Sequence, residues 1–337
     1  MVQPTNMKYY LQLVRPVNLV VLTLTMLLFR YCIIDAESYA LYDFVPYLKD
    51  SAFYILLATT ILVAAGGYVI NDIFDIETDR VNRPDRLIVG QHIDEKKAFN
   101  FYFGLTIAGV AGSFLLMYLT KNIKVSSIPM ITIILLYLYA TTFKKMTLMG
   151  NVVIALCSAL PIILLSIYEL RINQFDTAVI ILFTQGIGLA AMVYATFAFM
   201  TTLIREIIKD VEDMKGDDAI DARTFPVIAG INASKALILI LQFITLFLIG
   251  LIGYYLLAFK LAIPFYGYVL CLLLPLLVQI ALVIQARQPE QFRWASTAGK
   301  VHMFLGVLTM LYFYNGLAPY FFNQLFNYIA QLFNFIR

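Results

Sequence analysis

Nine long apolar stretches dominate the sequence and restrict what the chain can fold into. A membrane-spanning helix needs about 20 mostly apolar residues, and each stretch approaches or exceeds that length. The stretches are 17–34, 52–70, 98–119, 126–142, 150–168, 178–203, 235–257, 262–286 and 301–321. The whole chain is 61% hydrophobic and only 13% charged, which is outside the usual makeup of a soluble domain. The sequence therefore predicts an all-α, polytopic membrane protein with about nine transmembrane helices.

Lysine and arginine residues are distributed unevenly between the two sides of the membrane that the nine stretches would cross. Of the 24 such residues, 17 lie in the N-terminal segment and in alternate connections, and 7 lie on the other side. The richer connections are 71–97, 143–149, 204–235 and 287–300. The positive-inside rule predicts that this side, with the N-terminus, faces the cytoplasm of a cell (inner) membrane.

We expect residues 1–337 to form a single integral-membrane domain. The first stretch lacks the small-residue cleavage site of a signal peptide, so it is expected to remain as a helix. Residues 322–337 are too short to span again, which predicts an interfacial tail. The three cysteines lie in apolar stretches without CxxC spacing, so neither disulfides nor a zinc site is expected. The basic residues follow topology, and we expect no nucleic-acid partner.

Two acidic segments interrupt the apolar pattern. The second stretch is followed by NDIFDIETDRVNRPDR at 71–86, and the sixth by REIIKDVEDMKGDDAIDARTFP at 205–226. In each segment three aspartates are spaced by three and then four residues, which places them on one helical face. The two trios follow helices that are four apart, which predicts a pseudo-repeat of two four-helix units. The trios are Asp72, Asp75 and Asp79, and Asp210, Asp213 and Asp217.

Such trios predict a site for a hard cation and phosphate. Ionised carboxylates on one stripe repel one another by about 1 kcal/mol per near pair, even when partly solvated. A divalent ion relieves the repulsion, and Mg²⁺ is usually held by one or two carboxylates together with substrate phosphates. Solvated helix ends would explain single acids, and topology would explain the basic residues, but neither explains two identical spacings. Basic side chains that could bind phosphate oxygens are Arg83, Arg86, Lys144, Lys145 and Arg223.

The two acidic segments resemble the aspartate-rich motifs of the UbiA-type intramembrane prenyltransferase superfamily. Weaker similarities are RPVN at 15–18 and YATTFKKMTLMGN at 139–151. The resemblance implies nine helices around a central cavity that opens to lipid. It implies Mg²⁺-dependent transfer of a polyprenyl group from a polyprenyl diphosphate to a lipid-soluble or amphipathic acceptor, with membrane lipid as the surroundings.

The resemblance also implies a role for each matching residue. All six aspartates become metal ligands for two Mg²⁺ ions, and four of them are implied to be catalytic. These four are Asp72, Asp75, Asp210 and Asp213. The implied substrate-binding residues are Asn18 in the cavity wall, Asn71 beside the metals, Arg83, Arg86 and Lys144 on the diphosphate, Lys145 as an alternate, and Arg223.

The strings DRVNRPDR and KDVEDMKGD are most similar to the branch that makes digeranylgeranylglyceryl phosphate. One departure is the sequence Leu87, Ile88 and Val89 after Arg86, where that branch usually has prolines. The resemblance therefore implies geranylgeranylglyceryl phosphate as acceptor, with an aromatic quinone precursor such as 4-hydroxybenzoate or homogentisate as the alternative. A membrane transporter or lipid carrier is the alternative from another class. Transport sites tend to lie at mid-membrane, whereas these acids are predicted at helix ends, which favours an enzyme.

Overall fold

The computed structural model describes residues 7–36, 48–82, 84–169, 186–258 and 266–314. Within these ranges the chain is helical and forms no strand, apart from an isolated bridge between Val89 and Ile93. The helices are α1 (Met7–Leu13), α2 (Pro16–Leu28), α3 (Asp50–Phe74), α4 (Ile76–Asn82), α5 (Glu95–Thr120), α6 (Ile123–Ser126), α7 (Ile128–Thr141), α8 (Met149–Glu169), α9 (Gly186–Ala219), α10 (Phe225–Ala258), α11 (Leu274–Gln285) and α12 (Phe292–Leu308).

Eight described segments are long and apolar enough to cross a membrane, which confirms the predicted integral-membrane class. Helices suit these sequences because each backbone group in the bilayer core must be hydrogen-bonded within the protein. The segments are Pro16–Ile34, Asp50–Phe74, Glu95–Thr120, Ile123–Thr141, Met149–Glu169, Ile187–Ala219, Phe225–Ala258 and Tyr266–Gln285.

The ninth predicted span is matched only in part. Its helix, α12, begins at Phe292 rather than at 301 and continues as a 3₁₀ turn to Phe313. The end of this predicted span and the predicted interfacial tail, 322–337, lie outside the described residues. The count of nine and the pseudo-repeat therefore stay predictions.

The first aspartate trio, predicted to form a stripe on one helical face, spans a break between two helices. Helix α3 ends at Phe74, and Asp75 has φ −93° and ψ 0° before α4 begins at Ile76. Hydrogen bonds from Asp75 N to Asn71 O (3.0 Å) and from Asp79 N to Asp75 O (2.8 Å) continue the helical pattern across this break. Asp72 therefore lies on α3 and Asp79 on α4, with Asp75 at the break between them. Backbone hydrogen bonds still join the two helices across this break.

The second trio lies in the last three turns of a helix, as predicted, although that helix extends further than the predicted span. Helix α9 runs unbroken from Gly186 to Ala219, well past the predicted span end at 203. Segment 204–234, predicted as a cytoplasmic connection, is thus mostly helix with one turn before Phe225. This rigid helix fixes the spacing of all three aspartates.

A buried ion cluster ties α2, α3 and α8 together at the end opposite the aspartates. Arg30 lies in a π-helical turn, Phe29–Ile34, that extends α2, and it is only 3% exposed. Its guanidinium lies 2.5 Å from Glu169 Oε1, 3.4 Å from Asp35 Oδ1 and 3.5 Å from Asp50 Oδ1. Asp50 begins α3 and Asp72 lies near its other end, so the cluster is about 30 Å from the aspartate motifs.

Candidate active site

The two aspartate motifs meet at one end of the helices, where α4 packs against α9. Asn82, the last residue of α4, donates from Nδ2 to the backbone oxygen of Asp213 (3.0 Å). The same side chain accepts from the backbone N–H of Gly216 at 3.0 Å. Two segments that are more than a hundred residues apart in the chain thus form one site.

Asp72 is paired with an arginine that precedes the first span. The Nη2 atom of Arg15 lies 2.6 Å from Asp72 Oδ1, and its guanidinium lies over the Tyr68 ring at 5.2 Å. Arg15 has φ 52° at the start of α2, in the left-handed region that few non-glycine residues adopt. Strained backbone of this kind often occurs at functional sites, and here it accompanies an ion pair with a motif aspartate.

Asp75 is buried and shares a polar cluster with Asn71 and Lys144. It accepts from Asn71 Nδ2 at 2.6 Å and forms an ion pair with the Lys144 ammonium. Lys144 also approaches Asn71 Oδ1 at 3.5 Å. Burial alone would raise the pKa of Asp75, but the positive charges of Lys144 and Lys209 hold it below its ordinary value. Asp75 is therefore ionised at neutral pH.

The backbone of Gly150 fits closely against the turn that carries Lys144. A Cβ at position 150 would lie 2.9 Å from the Lys144 Cα and 2.8 Å from the carbonyl oxygen of Phe143. Only glycine allows the start of α8 to approach this 3₁₀ turn, Phe143–Lys145, so closely. The close approach fixes the backbone from which the Lys144 ammonium reaches Asp75.

Asp79 lies on α4, one turn beyond Asp75. Burial and the neighbouring Asp75 carboxylate raise the pKa of Asp79 above its ordinary value. Lys144 and Lys209 act in the opposite direction but do not fully offset these effects. An additional cation near Asp79 would therefore be electrostatically favourable.

The second motif is supported by amide and hydroxyl donors. Asn151 on α8 donates from Nδ2 to Asp210 Oδ2 at 2.6 Å. The Thr224 hydroxyl donates to Asp217 Oδ2 at 3.2 Å, and Asp217 is buried. These contacts orient two carboxylates of the second trio.

The turn after α9 docks on the turn that carries Lys144. The backbone N–H of Arg223 donates to the Lys145 oxygen at 2.9 Å, and that of Phe225 donates to the Thr147 oxygen at 3.0 Å. The side chains of Lys145 and Arg223 are exposed. They therefore lie close together on the surface beside the aspartates.

The donor set suits a hard cation that arrives with its own oxygen ligands. In the ranges the structure describes, no three Asp, Glu, His or Cys side chains converge on one point that could hold a metal ion. The available donors are carboxylates and carboxamides, the oxygen ligands that Mg²⁺ prefers. Mg²⁺ is commonly bound by one or two carboxylates plus substrate phosphates, so a ligand set completed by a diphosphate fits these residues.

The remaining predicted substrate-binding residues are placed less completely. Asn18 is half-buried on α2 and hydrogen-bonds the Tyr68 side chain. Arg86 ends a 3₁₀ turn, Pro84–Arg86, but its side chain, like all of Arg83, lies outside the described part of the chain. Their roles stay predictions.

Sequence reasoning missed three side chains that organise the site: Arg15, Asn82 and Asn151. Arg15 and Asn151 lie in the two more weakly matching strings, RPVN and YATTFKKMTLMGN, so the resemblance gave a signal for both. Asn82 directly precedes the predicted Arg83 but has no distinctive spacing. Its partners are backbone atoms of a distant helix, which no local pattern reveals.

Residues 40–308 match the UbiA prenyltransferase family. Among curated relatives, the chain is 33% identical over 196 residues to the digeranylgeranylglyceryl phosphate synthase of Sulfurisphaera tokodaii, covering 57% of this chain and 64% of that protein. It is 33% identical over 236 residues to the synthase of the same name from Saccharolobus solfataricus, covering 68% and 71%. The alignments thus span about two thirds of these relatives.

Solved structures have the same fold. A digeranylgeranylglyceryl phosphate synthase superposes with a TM-score of 0.57 at 23% identity, covering 92% of this chain and 98% of that one. A UbiA homolog from Archaeoglobus fulgidus, bound to DMAPP and Mg²⁺, superposes with a TM-score of 0.53 at 17% identity, covering 90% and 99%. Together, the matched span, the relatives and the shared fold show that this chain belongs to the UbiA prenyltransferase family.

Proposed function

We propose that the protein transfers a geranylgeranyl group from geranylgeranyl diphosphate to geranylgeranylglyceryl phosphate, with Mg²⁺ as cofactor. The observation that carries the proposal is the meeting of two aspartate motifs around Arg15 and Lys144 at one end of the membrane helices. The relatives named digeranylgeranylglyceryl phosphate synthase support the choice of donor and acceptor.

The aspartates would hold Mg²⁺ together with the donor diphosphate. Asp72 and Asp75 from the first motif, with Asp210 and Asp213 from the second, supply the carboxylates, and Asn71 supplies an amide oxygen. Mg²⁺ held by these residues would neutralise the charge that develops on the leaving diphosphate. Lys144 lies between the motifs and can exchange its contact with Asp75 for a diphosphate oxygen.

The reaction exchanges one carbon–oxygen bond for another. The bond between the allylic carbon and the diphosphate oxygen breaks, and both electrons leave with the diphosphate. The acceptor hydroxyl oxygen bonds to that carbon and loses its proton to solvent or to a nearby base. Apolar helix walls exclude water, which would otherwise compete with the acceptor for the electron-poor carbon.

The exposed cations beside the aspartates suit an acceptor that carries a phosphate. Such an acceptor adds about two negative charges to a site that already holds a diphosphate. Lys145 and Arg223 lie on the surface of adjoining turns, and Arg83 and Arg86 follow the first motif in sequence. A neutral phenol would not require these charges, and an aromatic carboxylate would require only one more.

The acceptor can be identified directly with purified protein in lipid nanodiscs. Labelled geranylgeranyl diphosphate and Mg²⁺ are supplied with geranylgeranylglyceryl phosphate, 4-hydroxybenzoate, homogentisate or a naphthoate, each in a separate reaction. We expect labelled ether lipid from the glyceryl phosphate acceptor and little product from the aromatic acceptors. Ready prenylation of an aromatic acceptor, with none of the glyceryl phosphate, would instead support the quinone-precursor alternative. Labelled lipid that crosses the bilayer without forming product would support a transporter.

The site is proposed to face the cytoplasm, because the basic connections lie on its side of the membrane. Gln91 and Ala219 are exposed on this side, next to the first and second motifs. Cysteine at either position, as Gln91→Cys or Ala219→Cys, should react with a membrane-impermeant thiol reagent in inside-out vesicles and not in sealed cells. Labelling in sealed cells would place the site on the outer face. The parent protein, with Cys32 buried and Cys157 and Cys271 partly buried, gives the background.

A further inference from the structure

The side chain of Asn82 connects the two aspartate segments. In the described ranges it is the only side chain that does so by two hydrogen bonds to backbone atoms. Its Nδ2 donates to the Asp213 oxygen and its Oδ1 accepts from the Gly216 N–H, both at 3.0 Å. The amide thus uses both its donor and its acceptor on a single turn of α9. Two bonds from one planar group restrain the orientation as well as the separation of the two helices.

Gly216 has no side chain, and the Asn82 amide occupies the space where a Cβ would lie. A Cβ at position 216 would lie 2.3 Å from Asn82 Nδ2 and 2.8 Å from its Oδ1, which is too close for either contact to persist. Gly216 is buried on α9, three residues before that helix ends at Ala219, and glycine within a helix is less favourable than alanine. Accommodation of Asn82 gives a physical reason for glycine at this position.

The contact lies close to motif aspartates on both helices. On α9 it falls between Asp213 and Asp217, and on α4 Asn82 follows Asp79 by three residues, so both side chains lie on the same side of that helix. A shift at this contact therefore moves Asp79 relative to Asp213 and Asp217. In the described part of the chain, no other side chain links the two motifs by hydrogen bonds to a helix backbone.

We propose that Asn82 is a positioning residue that sets the distance between the two aspartate motifs and thereby their joint affinity for Mg²⁺ and diphosphate. The proposal rests on the proposed function for the identity of the ligands. It assigns Asn82 no contact with substrate. Hydrogen-bonding partners that orient metal ligands typically change metal affinity or activity by about 10- to 100-fold when they are removed.

The first test measures ligand affinity without turnover. Purified Asn82→Ala protein is titrated with Mg²⁺ in the presence of inorganic diphosphate, and the increase in melting temperature on binding reports occupancy. We expect the half-saturating Mg²⁺ concentration to rise about 10- to 100-fold relative to the parent protein. Asn232→Ala, at an exposed position on α10, is the matched control and should not shift the titration. An unchanged midpoint for Asn82→Ala would overturn the proposal.

The second test is a double-mutant cycle between the two contacting positions. Gly216→Ala should lower the melting temperature in the parent protein, because its methyl group displaces the amide. In an Asn82→Ala background the same change should have little effect or raise the melting temperature, since the space is free and alanine favours helix. Gly104→Ala, where an added Cβ meets nothing within 4 Å, is the control. Equal losses in both backgrounds would show that the two residues do not act through each other.

These measurements separate the proposal from the acceptor assignment. Neither titration nor melting requires an acceptor, so a wrong acceptor leaves both readouts intact. If Asn82→Ala does not accumulate, Asn82→Ser, which replaces the amide with a shorter hydroxyl side chain, is carried through the same titration and cycle. The proposal is also contradicted if Asn82→Ser has the same half-saturating Mg²⁺ concentration as the parent protein and Gly216→Ala lowers the melting temperature equally in both.

Discussion

Asp210→Asn is expected to lower kcat by about 10³-fold or more, because Mg²⁺ coordination supplies several kcal/mol of charge stabilisation and each 1.36 kcal/mol is a factor of ten. Asparagine has nearly the same shape as aspartate, and its side-chain oxygen can still accept from Asn151 Nδ2. The variant should therefore stay folded while it loses the charge that holds the cation. Product formation from labelled geranylgeranyl diphosphate gives the rate, and the melting temperature in detergent reports the fold.

Asp218→Asn is the matched control for this experiment. Asp218 neighbours the motif residue Asp217 on α9 but is exposed and outside the trio, so its loss should change kcat little. Removal of divalent ions with a chelator should abolish turnover by the parent protein, and added Mg²⁺ should restore it. Parent-like turnover by Asp210→Asn, or by the parent protein in excess chelator, would contradict the metal-dependent mechanism.

Lys144→Met is expected to reduce kcat by about 10²- to 10³-fold, the usual effect of removing one positioned donor from a site where negative charge develops. Methionine keeps a similar length but cannot pair with Asp75 or with a diphosphate. It leaves the buried Asp75 carboxylate without its closest cation, so the free energy of unfolding should also fall by about 1–3 kcal/mol. Lys97→Met, at an exposed position on α5, is the control.

A double variant isolates the structural role of Lys144. Lys144→Met with Asp75→Asn removes both charges and should regain part of the stability that Lys144→Met loses. A double variant no more stable than Lys144→Met would show that the pair does not stabilise the fold. The pair also has a defined pH range: the pKa of Asp75 is lowered and that of Lys144 is raised, in each case against the effect of burial. Its stabilisation is therefore fully present between about pH 4 and pH 10, and is lost as pH falls through the lowered or rises through the raised pKa.

The helical architecture could be predicted because length and hydrophobicity alone determine which segments can span a bilayer. Eight predicted spans coincide with described helices, and the two aspartate segments follow the second and sixth as expected. The resemblance also identified the segment that carries Lys144, whose ammonium lies between the motifs. These features depend on local sequence, where a pattern of a few residues is informative.

The missed features depend on contacts between distant segments. The break at Asp75 carries no glycine or proline signal, and the aspartate spacing alone suggested an unbroken helix. Arg15 and Asp72 are 57 residues apart, and Asn82 and Gly216 are 134 residues apart. Only the folded arrangement of the helices brings such partners together, so no local periodicity could identify them.

The buried Arg30 cluster affects the order in which the chain can assemble during synthesis. Arg30 and its nearest partner, Glu169, are 139 residues apart. At about 5–20 residues per second, Glu169 is synthesised about 7 to 28 s after Arg30. During that interval the nascent first span must place a guanidinium near the lipid headgroups, where its long side chain can reach water. The ion pair that buries Arg30 can therefore form only after the span Met149–Glu169 has been synthesised.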